Sequence, residues 1–586
     1  MKLLLRSRSQ STRGYVLLMV TILLAISIIM VTGLLNYSSG NAKQNARNND
    51  YYSALGAAEA STEKVLSQVT SDFRDYGVGY VQLRLDTYRR MIPLATEAST
   101  WTNFDFMDLS GQLDRNEVQY NASTGSYVPL GTQYGPLKAF KDQVRILSNA
   151  RARNSPNPVS ASVYQDIELS RIPIFQYAVF YNITLEFTPL PPMVISGPVH
   201  CNTNIYVNPA GVLTFNNDLT ASGTIIQGPN PASPMLPALG GTVVYKAAHD
   251  SGTSTLSLPI GTNNSPAAVH QVLELPPVLE NPQSSLGQQR YYNKADLIIM
   301  VSNSAVVIKS GLWNNFATSL SSNEVATLVS TNTSFFNKRE NKTVQVIQID
   351  VAKLVQWNAT NASIRPYLPL TDVRTIYIND QRTLLLNESG VRLINGTNLP
   401  PQGLTVATPS PLYIQGDYNC PPAARGTTNT TGTLPASIAS DAVTILSGAW
   451  RDTNSNTLLT LGSRNATDTT INAAFLTGIV ASSLTSDSGG VENFPRYLED
   501  WTNRTNTYNG SMVAMYYSQI ATGLWVGIGG PPYGNDSYNP PNRNWGLDQN
   551  FQYGGKLPPN TPSLMVLGRA GWRTPAAYTT NIMAGF

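Results

Sequence analysis

Two residue types that often carry chemistry are scarce in this chain of 586 residues. It has only two cysteines and three histidines. Two cysteines are too few for a disulfide-stabilised scaffold, which is built on a much higher cysteine density. None of the histidines (His200, His249 and His270) has a second histidine three or four residues away. The pattern therefore gives little support to a histidine-based metal site.

Charge is also scarce and nearly balanced. Only 13% of the residues are charged, and the formal net charge is +3. Beyond the N-terminus we find no dense run of lysine and arginine, so no nucleic-acid partner is expected. We also find no GxSxG, HExxH or phosphate-binding loop motif in a suitable context. The sequence thus predicts no cofactor, no metal and no enzymatic activity.

One polar segment, GGVENFPRYLEDW from Gly489 to Trp501, has two possible interpretations. Glu492 and Glu499 could form a carboxylate pair that cleaves sugars. Alternatively, the segment is a short helix with charges near its edges and one buried face. That face would consist of Val491, Phe494, Leu498 and Trp501. We favour the second interpretation.

The longest hydrophobic run lies close to the N-terminus. No charged residue occurs from Tyr15 to Leu35, which is about the length that a helix needs to cross a bilayer. The apolar core of a secretory signal is shorter, at roughly 7–15 residues. Basic residues precede the run: Lys2, Arg6, Arg8 and Arg13. The positive-inside rule therefore predicts a cytoplasmic N-terminus and an exported body.

A helical pattern continues beyond this apolar run. Small and apolar residues recur at spacings of mostly three, four and seven, which is typical of one face of a helix. They are Ala42, Ala46, Leu55, Ala58, Thr62, Val65, Leu66, Val69 and Phe73. We predict one long helix from about Tyr15 to Phe73, apolar all round in its first half and amphipathic in its second.

A basic leader ending in Arg13-Gly14, this two-part helix and a large exported domain together resemble a type IV prepilin. The segments RGYVLLM and YYSALGAAEAS resemble the N-termini of PilX-like minor pilins and of K-type minor pseudopilins of type II secretion. The resemblance implies that a prepilin peptidase cleaves after Gly14 and methylates the new N-terminal Tyr15. It also implies other pilins or pseudopilins as partners. The protein would reside in the inner membrane, then in the periplasm or a cell-surface pilus.

The fifth residue of the implied mature chain departs from the pattern of most pilins. Met19 stands where most pilins carry glutamate, a residue that the resembled subfamilies also tend to lack. Inside a filament that carboxylate would pair with the N-terminal amine of the neighbouring subunit, and an unpaired charge is costly in an apolar surrounding. The absence of this glutamate therefore predicts that the protein is a subunit at the filament end. A plain single-pass membrane anchor is the alternative.

From Phe175 onward the pattern is that of β-strands. Short apolar triplets recur about every ten residues between Gly, Asn and Asp turns. They are Met193–Ile195, Ile205–Val207, Leu213–Phe215 and Thr224–Ile226. Such spacing is typical of a β-solenoid, whose successive rungs bury small apolar clusters; an antiparallel meander is the alternative. Similar strands return after Pro400 and could add rungs to the same solenoid.

The predicted fold is mainly β with a long N-terminal α-helix: a pilin-like stem followed by a β-solenoid-like ectodomain with an α+β insertion. Within the insertion we predict a hairpin in ADLIIMVSNSAVVIKSG and a strand entering a helix in KTVQVIQIDVAKLVQW. The predicted segments are a leader (1–14), a stem helix (15–75), a connecting α/β region (76–180), solenoid parts (181–230 and 401–525), the insertion (231–400) and a Gly/Pro/Asn-rich C-terminal tail (526–586).

The two cysteines occupy similar surroundings, in GPVHCNTN and GDYNCPPA. If the strands before Cys201 and Cys420 stack as neighbouring rungs, the thiols could form a disulfide. Two separate buried thiols are the alternative.

Three function classes fit the sequence. The favoured one is a non-enzymatic minor pilin-like protein that primes assembly or caps the filament tip. A tip adhesin that binds surface glycans is compatible with it. The third is a membrane-tethered β-helix enzyme acting on polysaccharide.

Overall fold

A computed structural model describes the chain from residue 13 to residue 578. The residues within that range that it leaves undescribed are 123–126, 131–135, 156–158, 234–236, 311–318, 369–371, 457, 485 and 526–536. Residues 1–12 of the predicted leader therefore lie outside the described residues. So do residues 526–536 and 579–586 of the predicted C-terminal tail.

The first element is the long helix that the sequence predicts. Helix α1 runs without interruption over 64 residues, Arg13–Tyr76. Its buried face begins only at Ala54, and Ala58, Val65 and Phe73 lie on it as expected. Ala42 and Ala46, which the pattern places on the same face, lie in the exposed half of α1. Small alanines there have no sheet to pack against.

The amphipathic half of α1 packs on an antiparallel sheet. Two short helices follow α1, and the sheet then begins; the elements are α2 (Val78–Leu83), α3 (Leu85–Arg89), β1 (Phe104–Met107), β2 (Glu117–Asn121), β3 (Tyr127–Pro129), β4 (Lys138–Ala152) and β5 (Ser160–Pro173). Strands β1, β2 and β3 each pair with β4, which also pairs with β5. Alternate residues of the two long strands point toward α1, so Val144, Ile146, Ile167 and Leu169 are fully buried against it.

The next strands form the first part of a three-faced parallel β-solenoid. They are β6 (Val179–Tyr181), β7 (Leu185–Phe187), β8 (Met193–Ile195), β9 (Val199–Cys201), β10 (Ile205–Val207), β11 (Val212–Phe215), β12 (Leu219–Ala221), β13 (Ile225–Gln227), β14 (Thr242–Tyr245) and β15 (His249–Ser251). Every third strand stacks in parallel register, so that Val199 faces Val179 on one side and Leu219 on the other. The solenoid is confirmed, and the meander is excluded for these strands.

The chain then crosses to the far end of the solenoid and builds its second part. The elements are α4 (Pro266–His270), α5 (Ser285–Gln289), α6 (Tyr291–Lys294), β16 (Leu297–Val301), β17 (Val306–Ser310), α7 (Ser322–Leu328), β18 (Val329–Asn337), β19 (Lys342–Asp350), α8 (Val351–Thr360), β20 (Thr375–Asp380), β21 (Glu388–Ile394), β22 (Leu404–Ala407), β23 (Leu412–Gln415), β24 (Ala436–Ser440), β25 (Val443–Leu446), β26 (Thr469–Asn472), β27 (Ala474–Thr477), β28 (Arg496–Tyr497), β29 (Thr505–Asn509), β30 (Met512–Ala514) and β31 (Asn542–Gly546).

The two solenoid parts join into one body. Strand β30, near the end of the second part, pairs in parallel with β6, the first strand of the first part. One face is therefore a continuous sheet of 11 strands that runs from β15 through β6 and β30 to β17. One hydrophobic cluster fills the interior of both parts. The expectation that the later strands add rungs to the earlier set is confirmed.

The last strand returns to the stem. Strand β32 (Ser563–Arg573) pairs antiparallel with β5 and so completes the six-stranded sheet beneath α1. The solenoid is thus inserted between β5 and β32. The C-terminal region that we predicted as a tail contributes a strand to each of two sheets, because β31 pairs with β29.

The long helix followed by a largely β ectodomain matches the predicted fold class. The predicted hairpin is present as β16 and β17, and the strand entering a helix is present as β19 and α8. The segment boundaries differ from those predicted. Strands β14 and β15 extend the first solenoid part beyond residue 230, and β16, β20 and β21 belong to the solenoid sheets rather than to a separate insertion.

Candidate functional site

The most unusual surface of the molecule is the first half of α1. Residues 14–49 are all exposed, and they include the whole apolar run. At 1.5 Å per residue this half projects roughly 50 Å from the body, whereas a bilayer core is about 30 Å thick. Among the residues that the structure describes, α1 is the one helix long and apolar enough to cross a membrane, and none of its most apolar part is buried. An apolar surface of this size needs a membrane or other helices to cover it.

The second half of α1 is anchored in the body by polar contacts as well as by packing. Ser61 donates a 2.8 Å hydrogen bond to the side-chain oxygen of Asn116. Gln165 of β5 donates to both Thr62 and Glu63, at 3.0 and 2.8 Å. Each of these groups lies at the helix–sheet interface, where a buried polar atom must find a partner. The anchored half is therefore held in a fixed orientation.

A buried carboxylate fixes the end of α1. Asp72 is only 2% exposed and accepts hydrogen bonds from Arg84 at 2.9 Å and from the Tyr88 hydroxyl at 2.7 Å. Burial and this hydrogen bond raise the pKa of Tyr88, so the phenol stays protonated. These contacts hold α2 and α3 against α1 where the long helix ends.

The residues of the predicted processing site lie at the free end of α1. Gly14 and Tyr15 are in the first turn of the helix and exposed, and a β-carbon added at Gly14 has open space around it. Met19 is also exposed, at 67%. The whole stretch from residue 14 to residue 49 is exposed, so among the described residues this end of α1 lies apart from the sheet and the solenoid.

Glu492 and Glu499, the candidate carboxylate pair, are both buried and have different partners. Glu492 is 5% exposed and accepts a 2.6 Å hydrogen bond from the Thr188 hydroxyl. Glu499 is fully buried and accepts hydrogen bonds from the Ser447 hydroxyl and amide, at 2.7 and 2.6 Å. Burial raises the pKa of each carboxyl to about 7. The two groups hold separate loops of the solenoid in place, an arrangement that favours a structural role.

The alternative interpretation of this segment is confirmed only in part. Val491, Phe494, Leu498 and Trp501 are all buried, as predicted. The short helix is wrong, because the segment is a single 3₁₀ turn, Val491–Asn493, followed by strand β28. The glutamates are buried with the apolar residues instead of lying near an edge.

The three histidines occupy separate environments. His200 lies in β9 with its ring nitrogens 2.8 Å from the Thr220 hydroxyl and 3.1 Å from Asn202, and burial lowers its pKa to about 4. His249 is exposed and stacks on Tyr245, whereas His270 is buried and lies 2.8 Å from Glu274. Within the described part of the chain, no three His, Cys, Asp or Glu side chains come together as a metal site.

The two cysteines are free and buried. The Cys201 thiol donates to the carbonyl oxygen of Ile183 at 3.3 Å, and burial raises its pKa to about 11. The predicted disulfide between Cys201 and Cys420 is not formed. It required the strands before the two cysteines to stack as neighbouring rungs, and they do not. Cys201 ends β9 in the 11-stranded sheet, whereas Cys420 follows β23 of a different sheet, so the two strands are not neighbouring rungs.

Sequence reasoning missed a cluster of buried charges that holds down the loop after β30, residues 518–525. Asp441 is fully buried and accepts hydrogen bonds from the amides of Gln519, Ile520 and Ala521. Arg496 forms a buried 2.8 Å ion pair with Glu340 and donates to the carbonyl oxygen of Ala521. These charged residues, Glu340, Asp441 and Arg496, are isolated in the sequence and lie far apart along the chain, so they give no local signal.

Similarity to known proteins is slight. The sequence matches no protein-family model and no curated protein. Among solved structures, the crystal structure of the competence-associated pilin ComZ from Thermus thermophilus is similar over 90% of this chain and 98% of that chain. The sequence identity is 9% and the TM-score is 0.27. The chain itself consists of a long N-terminal helix, apolar in its first half, and a largely β ectodomain.

Proposed function

We propose that this protein is a non-enzymatic minor pilin-like subunit that takes part in the assembly of a type IV pilus or a related pseudopilus, at the filament end. The observation that carries the proposal is the division of α1 into two halves. One half is fixed to an antiparallel sheet, and the other projects as an uncovered apolar rod. A membrane covers such a rod before assembly, and a bundle of similar helices covers it afterwards.

The position at the filament end follows from residue 19. Each subunit inside a helix bundle places its fifth residue near the N-terminal amine of a neighbour, and Met19 offers that amine no carboxylate. An unpaired buried charge costs several kcal/mol, and the cost would recur at every subunit of a homopolymer. The terminal subunit has no neighbour above it. The size of the inserted solenoid supports the same position, because it would crowd a tightly wound array.

Leader cleavage is the first expected consequence. N-terminal sequencing of protein from the membrane fraction should give a chain that starts at Tyr15. Gly14→Leu should leave the leader attached and prevent incorporation into filaments. Gly40→Leu is the matched control, because both glycines are exposed on α1 with open space around them. A mature chain that starts at Met1, or normal processing of Gly14→Leu, would show that α1 acts only as a membrane anchor.

Location in the filament tests the proposal directly. Immunogold labelling of sheared filaments with an antibody against the solenoid should mark filament ends and leave the shaft free. The expected copy number is therefore low relative to the major subunit. Regular labelling along the shaft, or filaments formed by this protein alone, would contradict the terminal position.

A further inference from the structure

The outer face of the second solenoid part contains an open groove of about 490 Å³. It crosses strands β19, β21, β23 and the turn after β25, and its volume lies in the range of small-ligand sites, about 300–1,000 Å³. Polar side chains line most of it, including Gln348, Arg392, Gln415 and Asp452. An apolar ligand would shield these groups from water and offer no partner to their remaining donors and acceptors, at a cost for each unsatisfied group of about 1–3 kcal/mol.

The floor of the groove is rigid. The Arg392 side chain is only 4% exposed and forms a forked ion pair with Asp452, at 2.6 and 2.9 Å. The same guanidinium donates to the Gln348 side chain at 2.7 Å. Gln415 donates to the carbonyl oxygen of Trp450 at 3.2 Å. Side chains fixed by one another in this way lose little entropy when they bind a ligand.

The two arginines that line the groove, Arg392 and Arg451, differ in their partners. Arg392 pairs with Asp452, and Asp417 pairs with Arg425. Arg451 is exposed and donates to the backbone carbonyl oxygens of Gly448 and Trp450; no carboxylate among the described residues pairs with it. The groove therefore offers a dense set of hydrogen-bonding groups together with one available positive charge.

We propose that this groove binds an acidic oligosaccharide. Sugar hydroxyls would exchange hydrogen bonds with the amide, guanidinium and carboxylate groups of the floor, and a sugar carboxylate would pair with Arg451. A peptide suits the groove less well. Strands β21, β23 and β25 are paired on both sides, so no open strand edge exists there for an extended peptide to join. The groove lies in the solenoid, apart from α1, so this proposal does not depend on the proposed role of α1 in assembly.

The test is calorimetric titration of the full chain in detergent micelles with trigalacturonate, with neutral galactotriose and with a hexaglutamate peptide. Trigalacturonate should bind most tightly. Arg451→Gln should weaken trigalacturonate binding roughly tenfold, since a charge-assisted pair is lost, and leave galactotriose unaffected. Arg504→Gln is the matched control, an exposed arginine at the edge of β29, outside the residues that line the groove.

A blocking variant tests the location independently of charge. Gly448 lines the groove, and a β-carbon added there would lie in ordinary contact with the Thr467 hydroxyl, at 3.8 Å, so the backbone has room for a side chain that points into the groove. Gly448→Phe should therefore fill the groove at an unchanged melting temperature and abolish binding of both saccharides. Three results would overturn the proposal: no binding of trigalacturonate by the parent chain, undiminished binding by Gly448→Phe, or equally tight binding of hexaglutamate.

Discussion

A chain that ends at Pro562 should not yield a folded protein. Such a chain lacks β32, which pairs with β5 over ten residues and buries Leu564, Met565 and Val566. Met565 belongs to the hydrophobic cluster of α1, and its amide also donates to the carbonyl oxygen of Ser257, which precedes the second solenoid part. One strand therefore ties the stem helix, the sheet and the solenoid together.

The expected loss is large for two reasons. Exposing three buried apolar side chains costs about 1.5–3 kcal/mol each. The truncation also leaves β5 as a long unpaired edge, which promotes aggregation. We expect the Pro562 chain to be degraded or aggregated, and a chain that ends at Arg573 to be recovered from the membrane fraction.

A graded version of the same test keeps the chain intact. Leu564 is fully buried, so Leu564→Ala should destabilise the protein by about 2–5 kcal/mol and lower its melting temperature. If the Pro562 chain melts at the temperature of the full chain, β32 does not have the role that its contacts indicate.

Replacement of Asp441 by alanine should release the loop 518–525. The carboxylate accepts three backbone amides in a site with no exposed surface, and each amide left unsatisfied costs about 1–3 kcal/mol. Because cleavage of a locally opened segment follows the opening equilibrium, a loss of about 3 kcal/mol should make chymotrypsin cleavage near Tyr517 roughly 100-fold faster.

Two variants give this prediction its controls. Asp441→Asn keeps one acceptor oxygen and should show an intermediate cleavage rate. Asp468 also accepts a backbone amide, that of Thr505, but it is exposed, so water can replace the lost acceptor in Asp468→Ala. Equal cleavage rates for Asp441→Ala and Asp468→Ala would show that the buried carboxylate does not hold the loop.

The parts of the fold that the sequence predicts are those whose determinants are local. The apolar run and the face from Ala58 to Phe73 define α1 because helix contacts repeat every three or four residues. The solenoid is visible in triplets such as Ile205–Val207, since each rung carries its own apolar residues between turns.

The missed parts depend on contacts between distant segments. Strand β32 pairs with β5 across almost 400 residues, and neither strand encodes the position of its partner. Strands β16, β20 and β21 resemble an α+β domain because helices and long connections separate them. Arg451 in the groove and Asp441 under the loop are single residues whose surroundings come from several elements. No periodic pattern marks such positions.

The junction of β6 with β30 has a consequence for the order in which the chain can fold. During synthesis from the N-terminus, β6 is made about 330 residues before β30, the strand that pairs with it. At typical synthesis rates that interval is on the order of tens of seconds. During it the first rungs have an open edge, to which another nascent chain could add. The two solenoid parts therefore cannot join until β30 has been synthesised, whatever the order in which the earlier strands pair.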